Sequence, residues 1–378
     1  MKLISILKDT NIVVDKNLYT FFNPDYIYLP ILDNALLVKQ DDLIGKNDRI
    51  FKNSDLVPSI SGRIMGIANV YFEQSLQRAV VVENDFKEYA AKIKRVKKHI
   101  TIEDILKNLE KFDSRLLDKF KNIVSCENIV ISAVCDEPYV FNEIMTLKDN
   151  IDALLEMIDT LCTLYKCKKA SIVLKASESD IVFECLQKIG TYPNVSLSLV
   201  EDLYLLGKKE FLLSKIACKD TNTLYLTVQQ LYEFIRIVKH EMIPSTKYVT
   251  FSGDALLMGK VIVVKKFTKL KEVMQKYLEF NTDDYVILIN NLLHSCVVLE
   301  DLIITDEIFS VHFMKKKEFR QMACIRCGKC IKVCPFKIDA YYSYKKKIKD
   351  KRCIDCGLCS YVCPSFINLG DNRKGEEK

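Results

Sequence analysis

Two stretches near the C-terminus, Cys324-Ile-Arg-Cys327-Gly-Lys-Cys330-Ile-Lys-Val-Cys334-Pro335 and Cys353-Ile-Asp-Cys356-Gly-Leu-Cys359-Ser-Tyr-Val-Cys363-Pro364, share one pattern, C-x2-C-x2-C-x3-C-P. Their reading decides how the end of the chain folds. Two-residue gaps in a tight loop aim three sulfurs at one point. Gly328 and Gly357 let the backbone pass close to whatever those sulfurs hold, and a proline ends each run.

The spacing is that of paired 4Fe-4S runs, in which three thiolates grip one cubane and the fourth crosses to the other. It predicts one cluster on Cys324, Cys327, Cys330 and Cys363, and a second on Cys353, Cys356, Cys359 and Cys334. Zinc is the rival reading of C-x2-C pairs. A structural zinc takes four ligands and needs no third evenly spaced cysteine, so a full run occurring twice with both prolines favours clusters.

A chain of 378 residues is too long for one ordinary core, and two to four domains are expected. Hydrophobic residues at 49% and charged residues at 28% describe an ordinary soluble protein. The apolar start Met1 to Leu7 is broken by Lys8, Asp9 and Asn11 before a signal-peptide core or membrane span forms, which predicts a cytoplasmic location. Of the fifteen cysteines, seven lie outside the runs, scattered from Cys126 to Cys296. In a reducing compartment these are small core residues; Cys162 and Cys167, five apart, make no metal pair by themselves. Charge is uneven: residues 313–352 carry fourteen Lys or Arg against three Asp or Glu, a net of +11 in a chain of +6, which leaves −5 for the remainder.

Upstream, Ile27–Ile31, Ala35–Lys39, Arg49–Phe51 and Arg63–Ile67 read as strands of a small β module. Residues 73–125 follow a helical period, with Ile102–Phe120 placing Ile105, Leu106, Leu109, Leu116, Leu117 and Phe120 on one face behind a capping Thr101-x-x-Asp104. The lysines between 87 and 98 read as a solvated face. From 128 to 200 strands (128–134, 170–175, 195–200) alternate with helices (150–165, 179–189), which implies a parallel α/β sheet. Ligands bind such sheets at the carboxyl ends of strands, where Asp136, Glu137 and Tyr139 follow the first strand. A helix over 228–241 precedes an α+β segment with strands at 261–264 and 285–289 and a helix at 270–278.

The order of these pieces resembles the RnfC family, peripheral subunits of ion-pumping ferredoxin:NAD oxidoreductases, with relatives such as the cobalamin reductase PduS. The matching motifs are Ala323-Cys-Ile-Arg-Cys-Gly328, Tyr361-Val-Cys-Pro-Ser365, Cys135-Asp-Glu-Pro-Tyr139 and Val249-Thr-Phe-Ser-Gly-Asp254. The resemblance implies a multidomain α/β and α+β chain. Its expected parts are a barrel-sandwich module (1–75), an α/β domain like the complex I flavoprotein subunit (76–243), a β-grasp-like segment (244–312) and a helical, ferredoxin-like domain with two 4Fe-4S clusters (313–378). No lysine occupies the hairpin tip where biotinyl and lipoyl carriers hold their cofactor, so the first module reads as a docking unit.

Family members that bind flavin and NADH carry a glycine-rich loop before the first α/β strand, but this chain has no glycine between Ile67 and Ile189. A charged helix, near His99 to Lys121, takes that place. The later motif with paired glycines survives only as Tyr204-Leu-Leu-Gly-Lys-Lys-Glu210, and the glycine-rich β-grasp turn is Asn290-Asn-Leu-Leu-His294. The resemblance therefore implies a vestigial flavin site at Asp136, Glu137 and Tyr139, with FMN and NADH binding lost and both clusters kept. The expected role is electron transfer to or from a ferredoxin, a flavodoxin or partner oxidoreductase subunits, at the cytoplasmic face beside integral-membrane subunits of an Rnf-like complex. The alternative is a flavin-containing NADH-dependent reductase. No nucleic-acid partner is expected, because the basic residues are interleaved with cluster cysteines and not with stacking aromatics.

Overall fold

The computed structural model describes residues 12–32, 35–54, 56–87, 99–219, 222–293, 295, 297–318 and 320–370. The amino-terminal residues read for targeting, most of the 87–98 lysine stretch, His294 and Cys296 lie outside them.

The first strand, β1 (Val14–Phe22), leaves its neighbours and pairs far along the chain. Strands β2 (Tyr26–Pro30), β3 (Leu43–Ile44), β4 (Gly62–Phe72) and β5 (Ser75–Asn84) form an antiparallel sheet in the order β2-β5-β4-β3. Alternation explains it: Ile27 and Leu29 point in from β2 while Val80 and Val82 point in from β5, closing on Phe51 and Ile64. The helical reading of residues 73–84 is overturned. The run Ala79-Val-Val-Val82 prefers extended backbone and pairs with both β2 and β4, so this sheet continues to Asn84, past the expected boundary at residue 75. The strands expected at 35–39 and 49–51 reduce to a single bridge, Leu36 to Phe51.

Next come α1 (Ile102–Phe112) and α2 (Ser114–Phe120). The expected single helix breaks at Asp113, whose extended backbone ends the first helix and whose side chain caps the second. Parallel strands β6 (Asn128–Ser132), β7 (Lys169–Lys175), β8 (Val195–Val200) and β9 (Thr223–Thr227) follow in the order β8-β7-β6-β9. They alternate with α3 (Asn142–Leu164), α4 (Ser179–Ile189), α5 (Lys209–Lys215) and α6 (Val228–His240). Helix α3 starts eight residues before the expected Asn150 and is kinked there, where the Asn150 amide bonds back to the Thr146 carbonyl. The core under this sheet holds Phe120 stacked on Phe234, with ring centroids 4.8 Å apart. Cys126, Cys162, Cys167 and Cys185 are buried in it.

The third unit comprises β10 (Thr246–Ser252), β11 (Gly259–Lys265), β12 (Thr268–Lys269), α7 (Leu270–Tyr277), β13 (Tyr285–Ile289), β14 (Val297–Val298), β15 (Ile303–Ile304) and β16 (Ser310–Lys315). Its mixed sheet runs β1-β11-β10-β16-β13-β14, with β1 on the β11 edge. The C-terminal unit has only short helices, α8 (Lys329–Val333), α9 (Ala340–Lys346) and α10 (Leu358–Tyr361). Among the described residues no helix is long and apolar enough to cross a membrane.

Candidate metal centres and the cavity beside them

Short helices and left-handed turns put the cysteines where they are needed. Gly328 (φ 69°) and Gly357 (φ 73°) each begin a helix directly after the second cysteine of a run. One small apolar cavity is lined by Cys324, Cys327, Cys330 and Cys363, and another by Cys334, Cys353, Cys356 and Cys359. Each cavity thus unites three cysteines of one run with the last cysteine of the other. The donor set fits an iron–sulfur cubane: four thiols per cavity, apolar walls and backbone N–H groups aimed at sulfur. Arg326 N–H stands 3.4 Å from Cys324 Sγ, and Leu358 N–H donates to Cys356.

The two sites differ in their surroundings. The second is the inner one: Leu358 is buried among Leu205, Leu206 and Phe211 of the α/β domain, and Phe336 packs on Phe211. A side chain at position 357 would stand 2.5 Å from the Leu293 carbonyl oxygen, so only glycine allows this approach. The first site is the outer one, where Cys327, Ile325, Met322 and Phe366 are exposed.

A cavity of about 410 Å³ opens at the carboxyl ends of β6 and β9, where the strand order reverses, the place where open α/β sheets bind ligands. Its walls carry Asp113, Asp136, Glu143, Glu233, Asp306 and Glu307 against Arg115, Lys119 and Lys247. These cations are engaged internally. Lys119 Nζ donates to Gln230 Oε1 at 2.7 Å and to the Tyr225 carbonyl, and burial brings its ammonium down to about 8. Lys247 donates to the Thr305 and Asp306 carbonyls and is likewise pushed down to about 8. Arg115 pairs with Glu307. The N-terminus of α6 is taken too: Thr227 and Gln230 form a capping box, and the Gln229 N–H donates to Glu143 Oε2 at 2.8 Å. A carboxylate of the chain sits where a ligand phosphate would.

The structure separates the three residues expected at a flavin site. Asp136 lines the cavity, where Gly207 packs against it, and burial raises its carboxyl. Glu137 turns away toward the inner cysteine site, where it meets Tyr204 and Asn291. Burial first, and Asp136 second, raise it to about 7. Tyr139 adopts a left-handed backbone (φ 60°) and does not line the cavity. Glu143, Tyr204 and Asn291 were not expected as site residues. The Thr227-x-x-Gln230 capping box marks a helix start at the end of a strand, a signal for Glu143's position; nothing in the sequence pairs Tyr204 with Cys356.

The family described as 4Fe-4S dicluster domain matches residues 316–364. The C-terminal unit is therefore a ferredoxin-like 4Fe-4S domain, and its chemistry is electron transfer. A curated relative, the C component of the ion-translocating oxidoreductase complex of Buchnera aphidicola subsp. Acyrthosiphon pisum (strain APS), is 23% identical over 236 residues. The match covers 57% of this chain and 49% of that protein, so the chain spans about half the length of the curated relative. Two structures of an NAD+-reducing NiFe hydrogenase, H2-reduced and air-oxidised, align with TM-scores of 0.43 and 0.47 at 10% and 11% identity. They cover 62% and 72% of this chain and 46% and 59% of theirs.

Glu143 gives a pH test. Burial raises its carboxyl from 4.5 to about 7, so in this window the folded chain holds a proton that the unfolded chain releases. Its contribution to stability is full below about 4.5 and is lost as pH rises through about 7. Glu143→Gln, which mimics the protonated form, should gain on wild type by about 1–3 kcal/mol between pH 5 and pH 8 in urea denaturation. A constant difference across that range refutes the burial account.

Proposed function

We infer that the protein is an RnfC-like electron-transfer subunit that passes single electrons through two 4Fe-4S clusters, with the barrel-sandwich and β-grasp-like units as its scaffold. The observation that carries this reading is the pair of cavities, each built from three cysteines of one run and one of the other. Bound clusters supply one-electron oxidation and reduction. The chain's own residues supply thiolates, N–H donors and exclusion of water. The relative's name supports membership of a redox complex; in this reading the protein sits peripherally on the cytoplasmic face beside integral subunits. In this reading the flavin site is vestigial: among the described residues that line its cavity, Arg115, Lys119 and Lys247 are each engaged by other groups of the chain and the N-terminus of α6 is capped, so phosphate meets no unengaged donor there. Added FMN is therefore expected to bind more weakly than about 100 μM, a loss of several charge-assisted hydrogen bonds. Submicromolar binding by calorimetry would favour the alternative, an NADH-dependent flavin reductase.

Anaerobically reconstituted chain should hold about eight iron and about eight sulfide. Cys363→Ala should damage the centre of Cys324, Cys327 and Cys330 while sparing the one nearer in sequence. About four iron, or stoichiometric zinc, sinks the two-cluster reading.

The partner reading rests on charge. Lys345, Lys346 and Lys347 are exposed between the cysteine runs, while Lys317, Lys349 and Arg352 pair with Asp254, Asp355 and Asp350. An acidic ferredoxin or flavodoxin fits such a face. Reduction by a ferredoxin in stopped flow should slow severalfold as salt rises from about 0.01 M to about 0.1 M, because the Debye length falls from about 30 Å to about 10 Å. Replacing the three lysines with glutamate should slow it at low salt. A rate indifferent to both changes leaves the lysines a solvated face.

A further inference from the structure

The inner cysteine site meets the rest of the molecule through a polar contact that electron transfer as described above does not use. The Tyr204 hydroxyl stands 2.8 Å from the Cys356 carbonyl oxygen and 3.3 Å from Glu137 Oε1. A hydroxyl has one proton to donate, and the shorter distance assigns it to the carbonyl. Glu137, buried at 6% exposure, is oriented from the third unit: Asn291 Nδ2 donates to its Oε1 at 2.9 Å, and the Leu292 N–H also reaches its carboxyl. Asn291 in turn accepts the Leu293 N–H at 2.9 Å, and Leu293 is the residue against which Gly357 packs. Three units therefore converge on the one peptide that joins Cys356 to Gly357.

We propose that Tyr204, held by Asn291, is the positioning residue of the inner centre and sets its reduction potential apart from that of the outer one. The proposal rests on the two-cluster reading. A proton donated to the Cys356 carbonyl draws electron density from the peptide next to the Cys356 thiolate, and so favours an added electron there. It also holds the turn that presents the Leu358 N–H to the Cys356 sulfur. Neither Tyr204 nor Glu137 lines the outer cavity.

The test is an EPR-monitored redox titration, at pH 8, of anaerobically reconstituted full-length wild type, Tyr204→Phe and Glu137→Gln. The inner signal is the one abolished by Cys353→Ala. Tyr204→Phe should lower the inner potential, by up to roughly a tenfold change in the reduced-to-oxidised ratio, about 59 mV for one electron. Glu137→Gln removes a carboxylate charge but keeps the hydroxyl's bond, and should raise the same potential. The outer potential should stay put in both. Opposite shifts confined to one centre cannot come from general loosening. Inner potentials unmoved in both variants, or equal movement of both centres, overturn the proposal while the iron content still supports two clusters. Wild type with only about four iron overturns the two-cluster reading itself and the proposal with it.

Discussion

Eight thiols must face two small spaces, and the segment that carries them has little apolar interior to keep them there. Its own buried cluster amounts to Ala340, Cys359, Ile367 and Leu369. What holds the inner half in place is borrowed. Leu358 is sunk among Leu205, Leu206 and Phe211, a burial worth about 1.5–3 kcal/mol for a leucine, and Gly357 lies against the Leu293 backbone with no room for a Cβ. The geometry of the cysteines is thus a property of the whole chain, and the carboxyl face of the parallel sheet is the wall they lean on.

That dependence gives the α/β sheet a use apart from any nucleotide. At a strand-order reversal the cavity normally offers a phosphate a helix N-terminus and unengaged donors. Here Glu143 occupies the N-terminus of α6, and Lys119 and Lys247 have their protons committed to carbonyls and an amide. Loops from the same strand ends, carrying Glu137 and Tyr204, reach the inner cysteine site. The carboxyl face of the sheet thus meets the cysteine segment through Glu137 and Tyr204 as well as through Leu205, Leu206 and Phe211.

Legibility in the sequence followed locality. Ligand spacing in the cysteine runs, the parallel strands and helices such as α4 and α6 depend on residues close in sequence, and they could be read directly. Strand β5 was hidden because Gln77, Arg78, Glu83 and Asn84 interrupt its apolar run, and only pairing with β2 and β4 makes it a strand. The start of α3 was missed because its first turn carries Asn142 and Glu143, polar residues whose partner Gln229 lies far along the chain. Asp136 and Glu137 are adjacent on the turn after β6, yet they face opposite ways, and no pattern in the sequence says which one faces the cavity.

The two cysteine sites are near-repeats in sequence but not in environment, and the asymmetry orders them. The outer site has Ile325, Met322 and Phe366 exposed around it, the kind of surface a partner can cover. The inner site lies against an apolar wall that includes Tyr204, whose hydroxyl reaches the Cys356 carbonyl. Since the potential of such a centre responds to burial and to hydrogen bonding, equal ligands in unequal surroundings yield unequal centres. The chain is −5 outside its basic segment and +11 within it, so its positive field lies on the domain that carries both cysteine sites.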